Sequence, residues 1–283
     1  MSAPYPLVRN LYAFSTRIGV SRSPSRRGSS PRSVSSFLIT SCILLFYIPA
    51  PAAQSADPPS RESRFGEAER LYEDRANLAS ARRAAGAWSS RLAGDPRNAD
   101  AAWKLARADY WLGGHAPEPE RRGFLEAGID AGRKAAALQP NRPEGHFWIA
   151  ANMGALAESF GLRQGLKYRK PIKGSLEAVL RLDPAFMDGS ADRGLGRWYF
   201  KVPRLLGGDR RLAEAHLRKS LSYNPDNTVS HFFLGELLED EGRTADARAE
   251  FQKVLDAPLS RDWAPEDREY QERARRILAS LRP

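Results

Sequence analysis

Cysteine is almost absent from this chain of 283 residues: Cys42 stands alone, so no intrachain disulfide can form. Histidine is scarce too. His115, His146, His216 and His231 are scattered without the close spacing of a metal site, and His146 and His231 fall at equivalent repeat positions. No His-Glu-x-x-His, no Gly-x-Ser-x-Gly and no paired-cysteine motif occurs, and "GLRQGLKY" spaces its glycines too closely for a phosphate loop. These absences speak against an enzyme, and no cofactor and no metal are expected. The longest apolar run, Phe37 to Ile48, falls short of the ~20 residues that a spanning helix needs. Acids and lysines are missing from residues 1–56, which hold six arginines. The chain's net charge of +10 therefore leaves only +4 for the remainder, too little to argue for nucleic acid as a partner.

A basic stretch, the run "FLITSCILLFYI" and then "PAPAAQSA", with Ala50 and Ala52 in Ala-x-Ala spacing, have the layout of a signal peptide. Residues 1–53 are read as that signal, 54–63 as a short linker and 64–283 as the folded domain, with cleavage near Ala52 and a periplasmic or secreted product. A Ser- and Arg-rich, acid-poor leader suits a transit peptide as well, which keeps a mitochondrial location as an alternative. Membrane association would require an uncleaved signal or lipidation at Cys42, although the apolar run continues six residues beyond that cysteine.

What the chain does have is a repeat. Pro96, Pro140, Pro184 and Pro225 fall 44, 44 and 41 residues apart, and Pro258 follows 33 later. Each closes a segment with helical periodicity, because proline removes an amide donor and pushes its predecessor out of the α region. Self-similarity at this period means stacked helix hairpins. The clearest unit runs from Asp226 to Asp256. It has Gly235 as the small residue of its first helix, Gly242 at the turn, and Ala247 and Phe251 on the second helix. The expected fold is all-α, a tetratricopeptide-like solenoid of four to five units. Its C-terminal helix, marked by Tyr270, Ala274 and Ile277, is read as a cap on the open end. Trp88, Trp103, Tyr110 and Phe251 read as packing residues of the core.

A tetratricopeptide unit has about 34 residues, so the longer spacings imply additions. Counting from the turn glycines places them within "ESFGLRQGLKYRKP" and "RWYFKVPRLLG", both read as loops joining the first helix of a hairpin to the second. Such loops emerge on one edge of a solenoid, where binding sites are commonly built. Arg163, Lys167, Arg169, Lys170 and Lys173 crowd the first, and Arg204, Arg210 and Arg211 flank the second. An anionic ligand or an acidic partner is one reading of these cations, and solvated loops in a basic protein are the other. Trp148, Phe160, Trp198 and Tyr199 sit nearby and could line an apolar cavity, although each reads equally well as core, and Pro203 and Arg204 within the second addition complete the candidate binding residues. Gly208 and Asp209 are read as a turn and the N-cap of the following helix, not as a ligand loop.

The stretch "LDPAFMDGSADRGLGRWYFKVPRLLGGDRRLAEAHL" resembles the T component of TRAP-type transporters. The likeness runs through Leu182, Asp183, Pro184, Gly189, Leu195, Gly196, Trp198, Tyr199, Pro203, Leu206, Gly207, Gly208, Asp209 and Ala213. Upstream, Trp148, Ala150, Ala151 and Gly154 look like the family's aromatic-Ala-Gly helix. The resemblance implies a periplasmic accessory that works with a solute-binding protein, with a small organic acid or hydrophobic solute as ligand. Similar repeats occur in the regulators of microtubule dynamics, a weaker likeness that implies a mitochondrial or cytoskeletal role. A generic envelope scaffold that docks a protein partner, with homo-oligomers open, remains the alternative to both.

Overall fold

The computed structural model describes residues 61–281, with side chains from residue 66 onward. The leader, the linker before residue 61, Cys42 and the cleavage site near Ala52 lie outside these residues. Among the described residues every regular element is helical. The helices are α1 (Arg61–Glu73), α2 (Leu78–Gly94), α3 (Ala99–His115), α4 (Glu118–Leu138), α5 (Pro143–Ser159), α6 (Leu162–Leu182), α7 (Phe186–Lys201), α8 (Arg210–Leu221), α9 (Thr228–Asp240), α10 (Thr244–Asp256) and α11 (Ala264–Ser280). A 3-10 turn, Arg204–Leu206, precedes α8. Five successive hairpins, α1/α2 through α9/α10, stack side by side, and the odd-numbered helices α3, α5, α7, α9 and α11 also touch one another in sequence. That odd row is the inner face of the solenoid.

Local chemistry accounts for the hairpins. The repeating prolines Pro96, Pro140, Pro184, Pro225 and Pro258 all fall between hairpins, where no helical amide is needed. Asn77, Asn98, Asp209 and Asn227 cap the helices that follow by accepting from their first free amides. His146 Nε2 donates to the Pro140 carbonyl at 3.0 Å and His231 Nε2 to the Pro225 carbonyl at 2.6 Å. The two histidines thus perform the same turn-locking task in different units. In the last unit the Phe251 ring lies so close to Gly235 that an added Cβ would come within 2.8 Å of it. Trp88 and Phe251 are buried, whereas Trp103 and Tyr110 are only partly covered.

The additions differ from a pair of loops. In the first, α5 and α6 are joined by Phe160 and Gly161 alone, and the extra residues lengthen α6 to 21 residues, matching the 21 of α4. Extending a helix pairs nearly all of the new backbone groups internally, which a ten-residue loop could not do. Pro171 is carried inside α6 on its exposed side, at the cost of the amide that would reach the Lys167 carbonyl. The second addition is a true loop, residues 202–209. At the start of α7, Met187, Asp188 and Gly189 take left-handed dihedrals in a row (φ 47°, 56° and 69°) before the regular helix begins.

Candidate functional site

The inner face carries a buried charge network that ends on α11. Arg197 of α7 holds Glu158 of α5 with two bonds of 2.9 Å and also pairs with Glu236 of α9, while Arg273 of α11 lies 3.6 Å from Glu236. Burial alone would raise Glu158, yet Arg197 holds it below the usual carboxylate range. For Glu236 burial prevails and its pKa is raised. Arg197 itself is held well above its ordinary value; burial opposes this, but the two carboxylates outweigh it.

The C-terminal helix does more than cover the open end. Ala274 is buried, with α11 packed on α9 and α10, while the other end of α11 reaches back to the first hairpin. Arg75, after α1, bonds Glu266 and the Asp262 carbonyl; His115, at the end of α3, bonds Glu269 at 2.7 Å. Trp263 packs with the cluster of Ala106, Ala131 and Trp148. Tetratricopeptide grooves commonly receive extended ligands on this inner side; here the chain's own last helix lies across it.

The open surface is elsewhere. A cleft of about 350 Å³ lies between α6, the indole of Trp198 and the 202–209 loop. Arg169, Lys170, Lys173, Gly174 and Glu177 form one wall, with Leu206 and Gly207 opposite. The i, i+4 stepping from Arg169 through Lys173 to Glu177 puts these side chains on one stripe of α6. Trp198 Nε1 donates to the Arg169 carbonyl at 2.9 Å, which fixes α6 against α7. The Lys173 ammonium lies over the rings of Trp198 and Tyr199, 5.2 and 5.0 Å from their centroids. Its pKa is raised, first by hydrogen bonding to Tyr199. The loop closes by backbone bonds, Gly208 N–H to the Pro203 carbonyl and Asp209 N–H to the Tyr199 carbonyl. Gly207 supplies the left-handed turn (φ 105°), and an added Cβ on Gly208 would meet the Val202 oxygen at 1.7 Å. Asp209 Oδ1 caps α8 through the amides of Arg211 and Leu212. Gly242 turns the last hairpin with φ 76°.

Of the residues singled out in the sequence, Arg169 and Trp198 meet in the cleft, and Pro203 and Arg204 lead into its far wall. Tyr199 is half-buried and stacks on His216 at 5.4 Å. Arg163 and Lys167 are exposed on α6 before the cleft, and Phe160 lies under the Arg122 guanidinium at 4.5 Å. Trp148 is not part of this surface: it is buried on the inner row against Tyr110, because its position in α5 faces α3. Sequence reasoning named Leu206 only within a family pattern and passed over Gly174 and Glu177. The regular stepping along α6 was the signal that could have found Glu177, had that segment been read as helix. Among the described residues no cluster of His, Cys, Asp or Glu is arranged to hold a metal, and no helix is long and apolar enough to cross a membrane.

A family model described as "Regulator of microtubule dynamics protein 1-3" matches residues 65–282. The chain belongs to this family. The family is the second of the two that the sequence resembles; the T component of TRAP-type transporters is not shown. No curated protein matches the chain. Among solved structures, a thermophilic TPR protein of Thermus thermophilus aligns over 78% of this chain and 100% of its own, at 22% identity and a TM-score of 0.59. PilW, a widely conserved type IV pilus biogenesis factor, aligns over 78% of this chain and 94% of its own, at 17% identity and a TM-score of 0.50. Identities this low carry the fold alone. This member of the microtubule-regulator family is therefore a tetratricopeptide-like helical repeat protein, a fold that typically serves as a non-enzymatic scaffold for protein–protein interaction.

Proposed function

We propose that the protein is a non-enzymatic docking protein that holds an acidic segment of a protein partner in the cleft between α6 and the 202–209 loop. The observation that carries this reading is the cleft's make-up: three cations, one acid and an indole edge in an open concavity, while the inner groove is taken by α11. The test is a photo-crosslinking residue in place of Lys170, with the same residue at Leu259, exposed between α10 and α11, as control. A protein captured at 170 and not at 259, and lost on Arg169→Glu with Lys173→Glu, supports the reading; equal capture at both positions sinks it.

The family's description makes microtubules the first partner to try. A second reading, an exported accessory of a TRAP-type system that meets a solute-binding protein and a small organic acid or hydrophobic ligand, is favoured by the signal-like leader and the Leu182–Ala213 pattern. The N-terminal sequence of the mature protein separates the two. Cleavage near Ala52 by the export machinery favours the second, and an intact N-terminus favours the first.

A further inference from the structure

Beyond partner docking in the cleft, we infer that the outer edge beside it docks on an anionic lipid surface, with Leu162, Leu166 and Leu205 as the inserted tips. Leu205 stands at the crest of the 3-10 turn and is 99% exposed; Leu162 and Leu166 are 72% and 49% exposed. The two α6 leucines are one turn apart and share a stripe, and Lys170 continues that stripe into the cleft wall that faces Leu206. Leu166 thus lies one turn and Leu162 two turns before Lys170 of the cleft wall, and Leu205 adjoins Leu206 of the facing wall.

Charge selects the occupant. Residues 162–173 contain five cations and no acid, and the loop adds Arg204 beside Leu205. Arg163, Lys167 and Arg204, next to the leucines, are exposed. Of the acids beside this edge, Glu177, further along α6, is paired with Lys173 at 3.7 Å, and Asp209, at the end of the loop, caps α8 through the amides of Arg211 and Leu212. A basic helix with leucines on an exposed stripe is the composition of an interfacial helix. Separate protruding tips fit a bilayer, which needs no shaped pocket to receive them. A protein partner would require a contiguous apolar patch. Anionic lipid headgroups are the complement of the exposed Arg163, Lys167 and Arg204.

The test uses the full chain with Cys42→Ser and Leu205→Cys, labelled with an environment-sensitive fluorophore. A matching protein carries the label at Leu259→Cys. Vesicles of phosphatidylcholine are compared with vesicles of phosphatidylcholine and phosphatidylglycerol in equal amounts. A local probe reads this edge even if the N-terminal apolar run also enters the bilayer. The emission at 205 should shift to the blue on the mixed vesicles and not on the neutral ones, with no shift at 259. Leu162→Glu with Leu166→Glu, both at exposed positions that do not threaten folding, should weaken the response about tenfold or more, since each change removes an apolar tip and adds repulsion. A probe at 205 that stays water-like on the mixed vesicles, responds equally to neutral ones, or survives the double substitution overturns the inference.

Discussion

Arg75 and Glu266, 191 residues apart, form a two-pronged ion pair: Arg75 Nε donates to Oε1 at 3.0 Å and Nη2 to Oε2 at 2.5 Å. Arg75 is 2% exposed and also lies 4.8 Å from the Tyr72 ring centroid, so the first hairpin grips the start of α11 from within the fold.

Removing one partner should leave the other charged and buried. Arg75→Ala is expected to cost about 3–5 kcal/mol, read as a lower urea midpoint. A loss below ~0.5 kcal/mol would show that α11 is held by α9 and α10 alone. Hydrogen exchange should at the same time speed up in α11 before it does in α9.

Asp109 gives folding stability a pH dependence. Burial pushes its carboxyl up to about 7 from 3.8. The folded state therefore keeps a proton that the unfolded chain has already released, and stability falls as pH rises between those values. Asp109→Asn should remove that slope and leave the protein more stable than wild type by a few kcal/mol at pH 8. A variant with the unchanged slope would contradict this.

His115 adds a smaller effect of the same sign. Burial would lower its pKa, but the Glu269 carboxylate outweighs that and raises it. Its contribution is complete below the ordinary histidine value and is lost as pH rises through the raised one. His115→Gln should therefore destabilise the protein at pH 5.5 and have little effect at pH 9. Thermal unfolding at the two pH values checks it.

Gly208→Ala should be far more damaging than Gly242→Ala. At 208 a methyl group meets backbone, the Val202 oxygen. At 242 it meets open space and costs only the left-handed dihedral, about 1 kcal/mol. Denaturation of both variants under one set of conditions gives the ranking, and equal effects would argue against this loop closure.

Trp198→Phe removes the indole donor to the Arg169 carbonyl while keeping an aromatic ring. About 1 kcal/mol of stability should go, and exchange of the amides in the first half of α6 should quicken. Unchanged exchange there would mean that the bond does not hold the cleft wall.

Much of the fold was legible because it is local. The recurring prolines, the capping residues Asp209 and Asn227 and the small-for-large match of Gly235 with Phe251 act within one hairpin or between neighbours. The lengthened α6 was not legible. Its cations and paired glycines read as loop, and only packing of Tyr168, Ile172 and Leu176 into the core shows that the helix continues through Pro171. Trp148 kept both a cavity and a core reading for a related reason: an aromatic at a helical position does not reveal which neighbour its face meets until the neighbours are stacked.

The sequence by itself determined the all-helical hairpin repeat, its turns and its caps, since each depends on residues a few positions apart. Only the tertiary structure decided that α11 would lie across the inner face and that α6 and the 202–209 loop would frame an open cleft. Contacts such as Arg75 with Glu266 and His115 with Glu269 join residues 191 and 154 positions apart. They exist because the winding of the stacked hairpins brings the two ends together, and no local spacing encodes that winding.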